Sequence, residues 1–313
     1  METLIQNAFS TPVRATPGGR HSRAWTWLCL IAAIGFHIAV VYPLMKGPSN
    51  PQDEGVVLVY PELLEKGLVV HRDFESPYPP GNIWFLEGVY EIFGTGIQVE
   101  RSVGVLYQIV LLAGIFYLFR SRGAGVATAG CILATLVMMR LGNVAFAWLG
   151  GTALAVWTLA MLTQDGKVRT RAILAGVFAG LTLTWRLDLA PALILSIGGY
   201  CFLAKWRVRD FLWLILAGSV ALIPLLIHAI IVTPSVFLDN VFYTPVIRSH
   251  NGRGLPLNFS NAYVGQLYAL VVVSILAALS VGWRMRKAEE GRGLALFAFA
   301  LFVLGVFPEA VQR

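Results

Sequence analysis

The sequence predicts an all-α fold: a bundle of about nine membrane-spanning helices with a cytoplasmic amino terminus and a partly helical first extracytoplasmic loop. Three observations predict it. Hydrophobic residues make up 57% of the 313 and charged residues 13%, too little polar surface to cover a soluble domain. The apolar residues fall into runs about as long as a helix needs to cross ~30 Å of hydrocarbon at ~1.5 Å per residue. The basic residues recur in short clusters between those runs: Arg14, Arg20, Arg23; Arg120, Arg122; Lys167, Arg169, Arg171; Lys205, Arg207, Arg209; Arg284, Arg286, Lys287, Arg292. Such clusters mark cytoplasmic loops and account for the net charge of +7 without nucleic acid as a partner.

Residues 1–24 form a cytoplasmic tail rich in Pro, Gly and Arg. The tail is too long for a signal-peptide n-region, so Trp25 to Met45 is a retained anchor. Further spans follow at 103–119, 123–139, 144–163, 172–185, 189–204, 211–233, 263–283 and 293–307, completing a transmembrane domain over 25–313. The alternation leaves 46–102, the turn around Arg140 and Asn143, the turn Arg186-Leu187-Asp188, the loop 234–262 and the end at Glu309 to Arg313 outside. Nine of the 17 acids lie between 46 and 102, which makes the outer face the working one. Cys29, Cys131 and Cys201 lie inside apolar runs and act as small hydrophobes.

The loop 46–102 is too long for a connector and is expected to carry function. Val56 to Leu64 is apolar with acids at Glu62 and Glu65, and Gly67 follows where a helix stops. Asn82 to Phe93 carries Glu87 and Glu91 four apart and reads as an amphipathic helix lying in the interface. As a tenth span it would bury two glutamates in lipid. Pro79-Pro80-Gly81 is a rigid turn that aims this helix. His71 and Arg72 are read as surface residues, and His37 and His228 as satisfied within the bundle.

The spans 172–185 and 189–204 are short, which draws their connecting turn below the surface plane. An arginine there is costly unless it faces a cavity or a partner, and Asp188 stands two residues from Arg186.

These residues resemble a family. Asp53-Glu54-Gly55, Gly67, Asp73-Phe74, Tyr78-Pro79-Pro80-Gly81, Phe93-Gly94 and Arg101 look like the first periplasmic loop of GT-C membrane glycosyltransferases. Those are similar to the bacterial aminoarabinose transferases and protein O-mannosyltransferases, which take sugars from polyprenyl-phosphate donors. Thr184-Trp185-Arg186-Leu187-Asp188 resembles a second motif, in which an arginine ends a short helix near the donor site. The resemblance covers residues 25 to 204, with its specificity in 53–101; beyond 210 it is hydropathy alone. It implies a polyprenyl-phosphate sugar donor, a glycan, lipid or protein acceptor, and action at the lipid bilayer. Members of the family carry more spans, so a truncated carboxyl end is an expectation here.

The chemistry sets its own demands. Attack by an acceptor hydroxyl on the anomeric carbon needs a base, and a partly buried carboxylate at the membrane edge can serve. Asp53 is the candidate, with Glu54 and Asp73 in the same catalytic set. The leaving lipid phosphate needs cations, and arginine binds phosphate oxygens bidentately. Arg186 comes first, with Arg140, Arg248 and Arg253 in reserve; Asp188, Tyr78 and His250 complete the substrate-binding set. One carboxylate base implies inversion, whereas a covalent sugar intermediate requires a second carboxylate as nucleophile. Asp53, Glu54 and Asp73 are also hard oxygen ligands suited to magnesium or manganese, but three acids without fixed geometry do not commit the chain to a metal.

Each role has a structural competitor. Glu54 serves equally well as a helix cap or an acceptor contact, Asp73 as an Asx turn, Arg186 as a salt-bridge partner of Asp188, and the segment Arg248-Ser249-His250-Asn251-Gly252-Arg253 as a plain loop or a lid. A transporter or lipid flippase would also need many spans, but it would place its polar residues at the midplane on broken, repeated helices. A non-catalytic scaffold of a cell-envelope complex would tolerate replacement of Asp53.

Overall fold

A computed structural model describes residues 20–47, 51–139, 142–248, 272, 276, 280 and 297–303; the side chains of 20–22, 51–53 and 245–248 lie outside that description. Among the described residues the regular structure is helical. In chain order the helices are α1 (Arg20–Val41), α2 (Pro51–Glu65), α3 (Gly81–Phe93), α4 (Ile97–Phe119), α5 (Ala124–Met138), α6 (Ala147–Thr163), α7 (Val168–Trp185), α8 (Ala190–Leu203), α9 (Val208–Ala221), α10 (Ile223–Val232) and α11 (Pro234–Leu238), followed by a π-helical stretch, Asp239–Arg248.

Among the described residues two helices are long and apolar enough to cross a membrane, Arg23–Lys46 and Ile97–Arg122. A third crossing arises if α9 and α10 are taken as one span bent by 46°. The sequence predicts a single span over 211–233. Hydropathy passes over Pro224, which lacks an N–H and clashes with the preceding turn, and there the helix breaks. The helices expected at 123–139, 144–163 and 189–204 form, but they are shorter than a full crossing. The expected spans 263–283 and 293–307 lie largely outside the described residues.

α6 needs no full-length match to the bilayer because most of its residues are buried by neighbouring helices, among them Leu149, Ala153, Val156, Leu159 and Leu162. One core joins α6, α7 and α8 through Leu159, Ala175, Leu193 and Ile197, with Leu214 of α9. A second joins α1, α3, α4 and α5 to the other side of α6 through Ala33, Leu86, Leu112, Cys131 and Val156. α7 and α9 approach backbone to backbone, and a Cβ on Gly180 would lie 2.5 Å from the Gly218 carbonyl oxygen.

The two ends of the bundle differ. At one end the basic clusters meet aromatic rings and carbonyls: Arg120 lies over Tyr117, and Tyr117 Oη donates to Gln164. There too Arg171 Nε donates to Leu162 O, and Arg169 lies over Trp213. The opposite end holds the loop between α1 and α4. There Arg101 of α4 grips the turn after α1 through the Met45 and Gly47 carbonyls, and Asn143 donates to Val41 O.

α2 begins at Pro51, which suits a first helical position because its missing N–H has no partner there, and closes at Gly67 with φ 80°. α3 buries Ile83, Leu86 and Tyr90 at helical spacing, while Glu91 faces outward.

Candidate functional site

The end of the bundle that holds this loop is built on three close approaches. Gly81 starts α3 against the end of α7, where a Cβ would lie 2.5 Å from Thr184 O and 2.8 Å from the Trp185 ring. Gly150 makes room for the Trp185 indole, and Gly151 for the aliphatic stem of Arg186. A side chain at Gly81 would strike the Thr184 backbone, and one at Gly150 or Gly151 would crowd the Trp185 or Arg186 side chain.

Arg186 leaves α7 in an extended conformation and enters the short 3-10 turn Leu187–Leu189. It is 3% exposed. Its Nε donates to Asp188 Oδ1 at 2.7 Å and its Nη2 to Oδ2, a bidentate pair. The Tyr78 ring covers the guanidinium at 4.5 Å. Asp188 is the more open partner, its side chain 24% exposed, so the pair turns its acidic side toward solvent.

The three acids of the loop are not gathered. Glu54 is buried and accepts from Arg101 Nε at 2.6 Å and Nη2 at 3.1 Å, an ion pair 47 residues apart in sequence. Asp73 is exposed and holds its own turn. It accepts from the Val69 N–H at 2.7 Å and from Arg72, and these hydrogen bonds, that from Arg72 first, keep its carboxyl below the usual range. Asp53 lies in the first turn of α2, its side chain outside the described residues. Arg248 ends the π-helical stretch, also without a described side chain; Arg140, His250 and Arg253 lie outside the described residues. Of the predicted set the structure therefore brings together Tyr78, Arg186 and Asp188. No group of three His, Cys, Asp or Glu among the described residues is placed to hold a metal.

A fourth cluster was not foreseen. His71, expected at the surface, is 3% exposed and adopts φ 66°. Its Nε2 lies 3.1 Å from the Tyr78 carbonyl, which can only accept, so this nitrogen carries the proton and donates. Its Nδ1 lies 3.0 Å from His228 Nε2 and must accept. Trp84 and Phe237 pack edge-on against His228, and Phe237 also against His71. Burial, and then the neighbouring His228, push the His71 imidazole down to about 4, which keeps it neutral. His71 and His228 are 157 residues apart, and only their residue type could have flagged them.

A second network fixes the segment between α5 and α6. Glu100 accepts from the Ala145 N–H at 2.5 Å, Asn82 donates to Ala145 O at 3.0 Å, and Gln108 donates to Gly142 O at 2.9 Å. Tyr107 Oη donates to Asn82 Oδ1 at 2.8 Å, which orients that amide.

No protein-family model matches the chain, and no curated protein matches it. Among solved structures it is similar to ArnT from Cupriavidus metallidurans bound to undecaprenyl phosphate, with a TM-score of 0.58 at 17% identity. The chain shares the ArnT fold. The match covers 92% of this chain and 59% of ArnT, so the chain spans less than two thirds of that protein's length. The GT-C resemblance carried by the loop motifs thus has a counterpart in the arrangement of the helices.

Proposed function

We propose that this protein is a membrane glycosyltransferase that moves a sugar from a polyprenyl-phosphate donor to a cell-envelope acceptor on the extracytoplasmic face, with inversion at the anomeric carbon. The observation that carries this reading is the shared fold with ArnT, a protein crystallised with undecaprenyl phosphate, together with the acid-bearing loop at the end of the bundle opposite the basic clusters.

In this reading Asp53, at the start of α2, takes the proton from the acceptor hydroxyl. Glu54 sets the position of that helix start through its ion pair with Arg101, while Asp73 shapes the turn before Tyr78. Arg186 faces the leaving phosphate. Its Asp188 partner neutralises the buried guanidinium in the absence of donor, and the Tyr78 ring holds it flat. Donor phosphate would compete with Asp188 for the same bidentate face. Arg140, Arg248 and Arg253 remain candidate cations for the phosphate and His250 a candidate substrate contact.

The test is transfer of label from a panel of radiolabelled polyprenyl-phosphate sugars to extractable product in membranes containing the protein. Asp53→Asn keeps size and most hydrogen bonding but cannot accept the proton. Transfer is expected to fall at least ~100-fold at unchanged protein level, whereas near-parental turnover would remove Asp53 as the base.

A further inference from the structure

The His71–His228 pair lies outside the acids and arginines of the proposed reaction, yet it ends on the backbone of the residue that covers Arg186. The bonding order is fixed by chemistry. A carbonyl only accepts, so His71 Nε2 donates to Tyr78 O at 3.1 Å. In the neutral imidazole that burial favours, its Nδ1 is then a lone pair that accepts from the Nε2–H of His228 at 3.0 Å. The Tyr78 ring, on the same residue, lies 4.5 Å from the Arg186 guanidinium. Ser76 Oγ donates to the same Tyr78 carbonyl at 3.0 Å and accepts from the Tyr78 N–H at 3.3 Å. The peptide at Tyr78 is thereby held at both its N–H and its C=O.

The His71 backbone is placed at a cost, and its buried imidazole is fully partnered. A non-glycine residue at φ 66° occupies a sparsely populated region of backbone space. Burying an imidazole is also unfavourable unless both nitrogens are satisfied. Here both are, and each partner comes from a different part of the chain: His228 from α10, Tyr78 from the loop before α3. Trp84 packs edge-on against His228, and Phe237 against both imidazoles.

We propose that His71 and His228 are positioning residues that set the Tyr78 ring on Arg186 and so hold the guanidinium in the orientation that receives a lipid-linked phosphate. The proposal rests on the reading of Arg186 as the phosphate-facing cation. It makes α10, which contributes no group to the reaction, part of the donor site's support.

The experiment is a double-mutant cycle on the full chain in detergent, read as binding of undecaprenyl phosphate. His71→Asn suits the backbone, because Asn tolerates positive φ, and its shorter side chain gives up the reach to Tyr78 O. Tyr78→Ala removes the ring and leaves the carbonyl, so it separates the stacking from the bond. The expected result is that His71→Asn weakens binding about tenfold, the scale of one buried hydrogen bond lost, and adds nothing further in the Tyr78→Ala background. His228→Phe, which keeps the ring volume among Trp84 and Phe237, is expected to do the same, so a misfolded Asn variant does not end the test. Equal losses in both backgrounds, or parental binding by His71→Asn and His228→Phe while Tyr78→Ala is impaired, would overturn the proposal. If Tyr78→Ala and Arg186→Lys both bind like the parent, the phosphate reading of Arg186 fails instead. The brace is then decided by amide exchange across 69–80. Faster exchange around Tyr78 in His71→Asn and His228→Phe supports it, and parental exchange overturns it.

Discussion

Arg186 and Asp188 are two residues apart, and their pairing was legible because a costly arginine in a turn between two apolar runs has few partners within reach, although the first run, expected at 172–185, forms a longer helix from Val168. What the pair does for the molecule is a matter of energetics. Removing one member leaves a buried charge uncompensated, whereas replacing both by apolar groups of similar volume is often neutral. Asp188→Leu, which leaves the buried Arg186 guanidinium without this carboxylate, is therefore expected to unfold several degrees earlier in detergent, and Arg186→Met with Asp188→Leu close to the parent. Donor binding separates the roles, since the double variant is expected to lose affinity for the lipid phosphate despite its stability. A stable double variant that binds like the parent would make Arg186 a scaffold residue and move the phosphate site to Arg140, Arg248 or Arg253. The histidines stood at the opposite extreme of legibility. Nothing local distinguishes a His in a polar loop from one buried 157 positions away from its partner.

At the scale of elements, the helices of the loop were readable from punctuation: Gly67 after α2, and Pro79-Pro80-Gly81 before α3. The bond that fixes α2 was not. Glu54 and Arg101 both stood in the motif, but their contact depends on α4 returning beside the end of α1, which no spacing rule supplies. Both side chains are about 9% exposed, and Arg101 also binds the Met45 and Gly47 carbonyls. Glu54→Ala would leave Arg101 buried beside those carbonyls without its carboxylate. It is expected to cost about 3–5 kcal/mol, checked by thermal unfolding in detergent against the parent. An effect under ~1 kcal/mol, the scale of an exposed ion pair, would mean that α2 is held by something else. The break between α9 and α10 went unforeseen because hydropathy weighs side chains and ignores the N–H that Pro224 lacks.

For the whole molecule, composition was enough for the helical membrane class, while the number of spans and their orientation rest on charge alternation alone. Arg120, Arg169 and Arg171 are engaged at one end; Glu54, Arg101 and Arg186 are engaged at the other. Membrane orientation is then an experimental matter. Single cysteines at Ser49 and Asn258 are expected to react with an impermeant thiol reagent in intact cells, and one at Thr170 to be protected. Labelling at Thr170 with protection at Ser49 would invert the bundle and place Asp53 in the cytoplasm.

The segment from Gly142 to Ala145 is gripped through its peptide groups: Glu100 takes an N–H, and Asn82 and Gln108 supply donors to carbonyls. A peptide group is the same whatever residue carries it. The shape of that crossover is therefore held in part by three side chains elsewhere, while its own Gly142 supplies a positive φ and its own Asn143 ties it to the end of α1. Those three side chains come from α3 and α4, so a change in either helix would be felt in a crossover that belongs to neither.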